Sequence, residues 1–109
     1  MKRYAVTLTA EAENDLADAF QWELNESDER ALRWRDALLS ELRSLQTLPA
    51  RCPVMEEYSS ANEEPVRRKI FATDSGTYIL YFRIKQYEDL VQVLFCRHAS
   101  RKPLDPRAM

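Results

Sequence analysis

From Arg3 to Thr9 the chain alternates, with Tyr4, Val6 and Leu8 on one side and Arg3, Ala5 and Thr7 on the other. That period of two predicts a strand with one buried face. Thr9 then stands where a helix N-cap is wanted, and Glu11, Glu13 and Asp15 follow near the positive end of the helix dipole. Ala12, Leu16, Ala19, Phe20 and Leu24 recur every three or four positions, predicting an amphipathic helix that stops near Asn25. A second helix opens at Ser27, with Asp28 and Glu29 in its first turn. Ala31, Trp34, Leu38, Leu42, Leu45 and Leu48 draw one apolar stripe along it up to Pro49, which cannot continue the ladder. Two helices joined by so short a link form an antiparallel hairpin.

Residues 49–65 hold Pro49, Pro53 and Pro65 and a polar stretch from Glu56 to Glu64, and read as the longest loop. After it the period changes from helical to two. Val66–Ala72, Thr77–Ile84 and Leu90–Arg97 read as strands, separated by turns at Thr73-Asp74-Ser75-Gly76 and Gln86-Tyr87-Glu88-Asp89. Val91-Gln92-Val93-Leu94-Phe95 is apolar on both faces except for Gln92, as an interior strand would be. The expected fold is α+β in the order β-α-α-β-β-β, with the helical hairpin covering one face of a mostly antiparallel four-stranded sheet. The other face is left partly open. Ser100–Met109, with Pro103 and Pro106, reads as an extended tail.

A length of 109 residues sets the expectation of one domain, 1–109, around a single core. No apolar run is long enough to span a membrane. The start Met1-Lys2-Arg3-Tyr4-Ala5-Val6-Thr7-Leu8 lacks the apolar stretch of a secretory signal, so a cytoplasmic protein with no membrane partner is expected. Cys52 and Cys96 read as unbridged thiols, and with His98 as the one histidine they make no metal set, so no cofactor or metal is expected. The net charge of −2 argues against a nucleic-acid partner, but the charge is unevenly spread. Residues 1–64 hold 7 Lys/Arg against 14 Asp/Glu, whereas residues 65–109 hold 9 against 4. Either the basic half meets an anionic partner, or the two halves neutralise each other inside the fold.

The basic residues concentrate on the three late strands. Arg67, Arg68 and Lys69 are consecutive, so they point alternately to the two sheet faces. Arg83 ends the next strand, and Arg97, His98, Arg101 and Lys102 close the last, with Tyr78, Tyr81 and Tyr87 interspersed. Cations beside aromatics can hold phosphates and stack bases. The same residues can equally be the charges that keep edge strands from associating. An imidazole at a strand end can serve as general acid or base, or simply cap the strand. Cys96 and His98 share a strand face, so a thiol–imidazole pair is conceivable, although Cys96 in an apolar strand reads as packing. With one glycine, Gly76, no phosphate-binding loop can be built.

Taken in order, these segments resemble the RelE/ParE toxin family, specifically its ParE-like, plasmid-stabilisation branch. Tyr4-Ala5-Val6-Thr7-Leu8-Thr9 with Ala12 and Asp15-Leu16 is similar to that family's opening strand and helix, and Ala31, Trp34, Leu38-Leu39 and Leu45 to its second helix. Leu48-Pro49-Ala50-Arg51-Cys52-Pro53 resembles the segment that follows it. Val66-Arg67-Arg68, Tyr78-Ile79-Leu80-Tyr81-Phe82 and Val91-Gln92-Val93-Leu94 resemble the three strands, and Arg97-His98-Ala99-Ser100-Arg101 the closing motif. The resemblance implies a type II toxin neutralised by a cognate antitoxin that wraps it.

Within the family some members cut messenger RNA on the ribosome and others poison DNA gyrase. For an RNA-cutting member the carried-over catalytic candidates are Arg67, Arg68, Arg83, His98 and Arg101. The residues expected to bind a target are Arg67, Arg68, Lys69, Tyr78, Tyr81 and Arg97. Many relatives carry an arginine directly after the tyrosine of the middle strand, where this chain has Ile79. Loss of one cation at a phosphorane removes on the order of 3–4 kcal/mol of transition-state stabilisation, by analogy with an oxyanion donor. With a pI of 5.5 as well, the reading favours gyrase inhibition without catalysis. The alternatives are a messenger-RNA-cleaving toxin, or a decayed toxin that only binds its antitoxin.

Overall fold

A computed structural model describes residues 2–60 and 63–100. The elements run β1 (Ala5–Leu8), α1 (Ala10–Glu26), α2 (Asp28–Ser44), β2 (Arg67–Thr73), β3 (Gly76–Lys85) and β4 (Leu90–His98), with single 3₁₀ turns at Pro49–Arg51, Glu56–Tyr58 and Gln86–Glu88. Two helices pack on a four-stranded mixed sheet of order β1-β4-β3-β2. The β2-β3 and β3-β4 pairs are antiparallel, whereas β1 lies parallel to β4. This is the expected α+β arrangement.

The helical hairpin is set by its caps. The Thr9 hydroxyl accepts from the Ala12 N–H, opening α1. One residue, Ser27, serves both helices: its N–H closes α1 on the Glu23 carbonyl at 3.0 Å, and its hydroxyl accepts from the Arg30 N–H to open α2. The second helix is shorter than its stripe suggested. It ends at Ser44, and Leu48 lies outside it, 57% exposed and in the left-handed region at φ 51°. Past the helix end the Gln46 carbonyl accepts from the Tyr4 N–H at 2.8 Å, tying the chain that leaves α2 to the start of β1, and Pro49 has no N–H with which to extend the ladder.

Ala12, Leu16 and Ala19 of α1 and Trp34 and Leu38 of α2, with Leu45 just past the end of α2, meet Phe71, Tyr78, Leu80, Phe82, Ile84, Val91, Val93 and Cys96 of the sheet. Alternate residues of β3 therefore face the helices, and Leu94 forms a bulge that keeps β4 in phase: Phe82 pairs with Val93, but Tyr81 pairs with Phe95. The opposite face is not simply open. Met55 and Tyr58, from the long loop, pack with Val66, Tyr81 and Leu94 into a second small core. Beyond β1 the free edge of β4 is covered by α1. The Thr9 hydroxyl donates to the Leu94 carbonyl at 2.9 Å, and the Asp15 carboxylate accepts from the Cys96 N–H at 2.9 Å. Among the described residues no helix is long and apolar enough to cross a membrane.

Candidate functional site

Where β3 starts and β4 ends, beside the β2-β3 turn, the helices and sheet bring a polar cluster together. Glu23 belongs to the series Ala12, Leu16, Ala19, Glu23 on the buried face of α1, and it is fully buried. Its carboxylate accepts from Arg30 Nε at 2.7 Å, from the Ser75 hydroxyl, and at 3.5 Å from the Tyr78 hydroxyl. A buried charge persists only when paired and hydrogen-bonded in this way. Ser75 lies in the β2-β3 turn, so the ion pair ties that turn to both helices.

His98 ends β4 against the same turn. Its Nδ1 accepts from the Ser100 N–H at 3.2 Å and lies 2.7 Å from the Ser100 hydroxyl. With Nδ1 an acceptor, the proton sits on Nε2, which donates to the Ser75 carbonyl at 2.7 Å. Tyr78 packs edge-on against the imidazole at 4.9 Å and continues an aromatic column through Trp34 to Phe20. The turn needs Gly76, whose φ is +116°; a Cβ there would stand 2.9 Å from His98 Nε2. Trp22, Arg30, Ser75, His98 and Ser100 line an open pocket of about 370 Å³ beside this cluster.

The cations are divided between the two faces. Arg67 turns to the helix side and donates to the carbonyls of Ala50 and Cys52 at 3.0 and 2.7 Å, bracing the loop. Lys69, on the same side, reaches Glu41 at 3.5 Å. On the opposite side Arg83 pairs with Glu63 at 2.7 Å and donates to the Glu64 carbonyl, and Lys85 pairs with Glu64 at 3.2 Å. Arg97 pairs with Asp15 at 2.6 Å and lies over the Phe95 ring. In each of these ion pairs the acid comes from residues 1–64 and the base from 65–109, so much of the charge asymmetry is spent internally. Arg68 is different: it forms no ion pair among the described residues, and its Nε is buried without a hydrogen-bond partner.

Of the residues singled out in the sequence, Tyr78 is 1% exposed and inside the main core, and Tyr81 is 6% exposed beneath Tyr58. Burial and the neighbouring Tyr58 push the Tyr81 hydroxyl above its ordinary pKa. Burial likewise raises the Cys52 thiol, although Lys69, Arg51 and Arg67 oppose it. Glu64 is held below the usual carboxylate value by its own backbone N–H and by Lys85. Arg101 lies outside the described residues. Glu23, Arg30 and Ser75 are what the sequence reading missed. The spacing 12-16-19-23 was the available signal, because it puts Glu23 on the apolar face.

A helical hairpin over a β1-β4-β3-β2 sheet, closed by an Arg-His pair, defines a small α+β protein with the RelE/ParE arrangement. The sequence matches, over residues 6–103, the family model described as "ParE toxin of type II toxin-antitoxin system, parDE". The chain thus belongs to the ParE toxin family, and membership implies an antitoxin partner. No curated protein matches it.

Proposed function

We propose that this toxin arrests growth by binding DNA gyrase without chemistry of its own, and that the cognate antitoxin neutralises it. The observation that supports this most is the state of His98, whose two ring nitrogens are both engaged within the fold, one by Ser100 and one by the Ser75 carbonyl. Cutting RNA through its 2′-hydroxyl needs a base, an acid and cations converging on one phosphate. Here His98 pairs with Tyr78 on the helix side of the sheet. Arg83 lies five residues further along β3, about 17 Å away at roughly 3.4 Å per residue, and on the other side. Arg68, on the face away from the helices and without an ion pair among the described residues, has most to offer a partner, and Arg97 on the same face stays 31% exposed beside its Asp15 pair.

The test is a supercoiling assay with purified gyrase, run beside cleavage of messenger RNA on programmed ribosomes. The expected result is inhibited supercoiling and intact RNA, with inhibition weakened at least tenfold by the double substitution Arg68→Glu/Arg97→Glu. Ribosome-dependent RNA cleavage that disappears in His98→Gln would overturn the proposal. Growth that continues despite soluble expressed protein would leave only an antitoxin-binding domain.

A further inference from the structure

A cleft of about 350 Å³ opens between the loop that follows α2 and the strand β2, lined by Arg51, Cys52, Pro53, Arg68, Lys69 and Ile70. It lies across the strand, so residues of both sheet faces reach it. Lys69 and Cys52 come from the helix side, where Lys69 meets Glu41 and Cys52 joins the main core. Arg68 and Ile70 come from the opposite face, and Ile70 is 47% exposed. Hydrogen bonds fix the frame around the cleft. Arg67 donates to the Ala50 and Cys52 carbonyls on either side of Arg51, and the Arg68 N–H donates to the Pro53 carbonyl at 3.1 Å. A ligand entering such a frame does not have to order the loop first.

Three cations meet here with too little acid to balance them. Arg51 and Arg68 form no ion pair among the described residues, and Arg68 Nε is buried without a hydrogen-bond partner. Lys69 has Glu41 at 3.5 Å, a separation at which the buried Glu41 Oε2 still lacks a hydrogen bond. The excess is felt at the thiol of the cleft, where Lys69, Arg51 and Arg67 all oppose the rise that burial imposes on Cys52. A buried donor with no protein acceptor is where a bound ion or ligand is to be sought.

We propose that this cleft binds a small phosphate monoester, its phosphate among Arg51, Arg68 and Lys69 and its organic part on Ile70 and Pro53. Cations that converge from a loop and from both sides of a strand suit a tetrahedral dianion, whose oxygens point in several directions. A planar carboxylate would engage one guanidinium through both oxygens and leave the other cations unmet. The apolar wall selects a monoester over the free ion, because orthophosphate has nothing to lay against Ile70 and Pro53. The volume is at the lower end of small-ligand sites, roughly 300–1,000 Å³. Arg68 also belongs to the gyrase contact proposed above, but the binding test needs no gyrase, so the two readings fail separately.

Titration of the full chain with phenyl phosphate, inorganic phosphate and benzoate at constant ionic strength, followed by its amide and arginine Nε–H resonances, tests the proposal. Phenyl phosphate is expected to give saturable shifts at Arg51, Arg68 and Ile70. Inorganic phosphate should bind roughly tenfold more weakly for want of the apolar contact, and benzoate more weakly than phenyl phosphate by a similar factor. Arg51→Gln/Arg68→Gln is expected to raise the Kd for phenyl phosphate by roughly tenfold or more. Ile70→Ser should bring phenyl phosphate down to the affinity of inorganic phosphate and leave the latter unchanged. Arg51 is exposed, so Arg51→Gln alone, with a loss of roughly fivefold, decides if removal of Arg68 unfolds the chain. Shifts that sodium chloride reproduces, or an arginine variant that binds as the wild type does, overturn the site. Benzoate or inorganic phosphate binding as tightly as phenyl phosphate overturns its assignment to a phosphate monoester.

Discussion

The Glu23–Arg30 pair should behave as a buried latch whose parts are worth little separately. In Glu23→Ala the Arg30 guanidinium loses a 2.7 Å bond and the Ser75 hydroxyl loses its acceptor; the Tyr78 contact at 3.5 Å adds little. Hydrogen bonds to a charged group contribute roughly 1.5–3 kcal/mol each, which puts two of them at about 3–6 kcal/mol. The Arg30 side chain is 28% exposed and can turn partly to water, so the lower half of that range applies, ~3–4 kcal/mol. For a domain of this size that corresponds to a fall of roughly 12–20 °C in Tm. Glu23→Gln keeps an acceptor for Ser75 and should cost about half as much. The paired replacement Glu23→Leu/Arg30→Met removes both charges at once and leaves only the Ser75 hydroxyl without its acceptor, so it is expected to cost about half as much as Glu23→Ala. Urea unfolding with unchanged m-values measures all three. A cost below about 1 kcal/mol for Glu23→Ala, or a double variant as unstable as the sum of the singles, would refute the reasoning.

Further substitutions and conditions probe the backbone, the core and the buried thiol. Leu48 sits exposed in the left-handed region, so Leu48→Gly should be neutral or stabilising by up to about 1 kcal/mol, whereas Leu45→Ala, at a position 1% exposed, should cost about 2–5 kcal/mol in the same melts. Gly76→Ala forces a Cβ towards the imidazole at a φ of +116°, and should cost about 2 kcal/mol or more while shifting the His98 ring resonances. The Cys52 thiol, raised above 9.0 by burial, should be alkylated by iodoacetamide far more slowly than a model thiol at pH 8 until the chain is unfolded. Because its folded pKa exceeds the unfolded one, the associated stability is complete below the unfolded value and is lost as pH rises through the folded value. Cys52→Ala should flatten that alkaline decline, and an identical pH profile for the variant would contradict it.

What the sequence by itself determined is the part of the fold written in local period. Thr9 and Ser27 cap helices because a hydroxyl reaches an N–H three residues on, and the alternation of Phe71, Tyr78, Leu80 and Phe82 can be satisfied only with one face covered. Family membership was legible in the same way, as an ordered series of such segments. The rest depended on residues far apart in the chain. Glu23 looks like a solvent charge until Ser75, 52 positions later, meets it in the core. Leu48 continues the stripe of α2, but the chain has left the helix at Ser44 and turns to meet the Tyr4 N–H with its Gln46 carbonyl. The pleat already sends Arg67 and Arg68 to opposite faces in the sequence, but only the fold shows that Asp15, Glu41, Glu63 and Glu64 claim most of their basic neighbours. Which cation stays unpaired is decided where long-range partners run out, and that is set by packing rather than by composition.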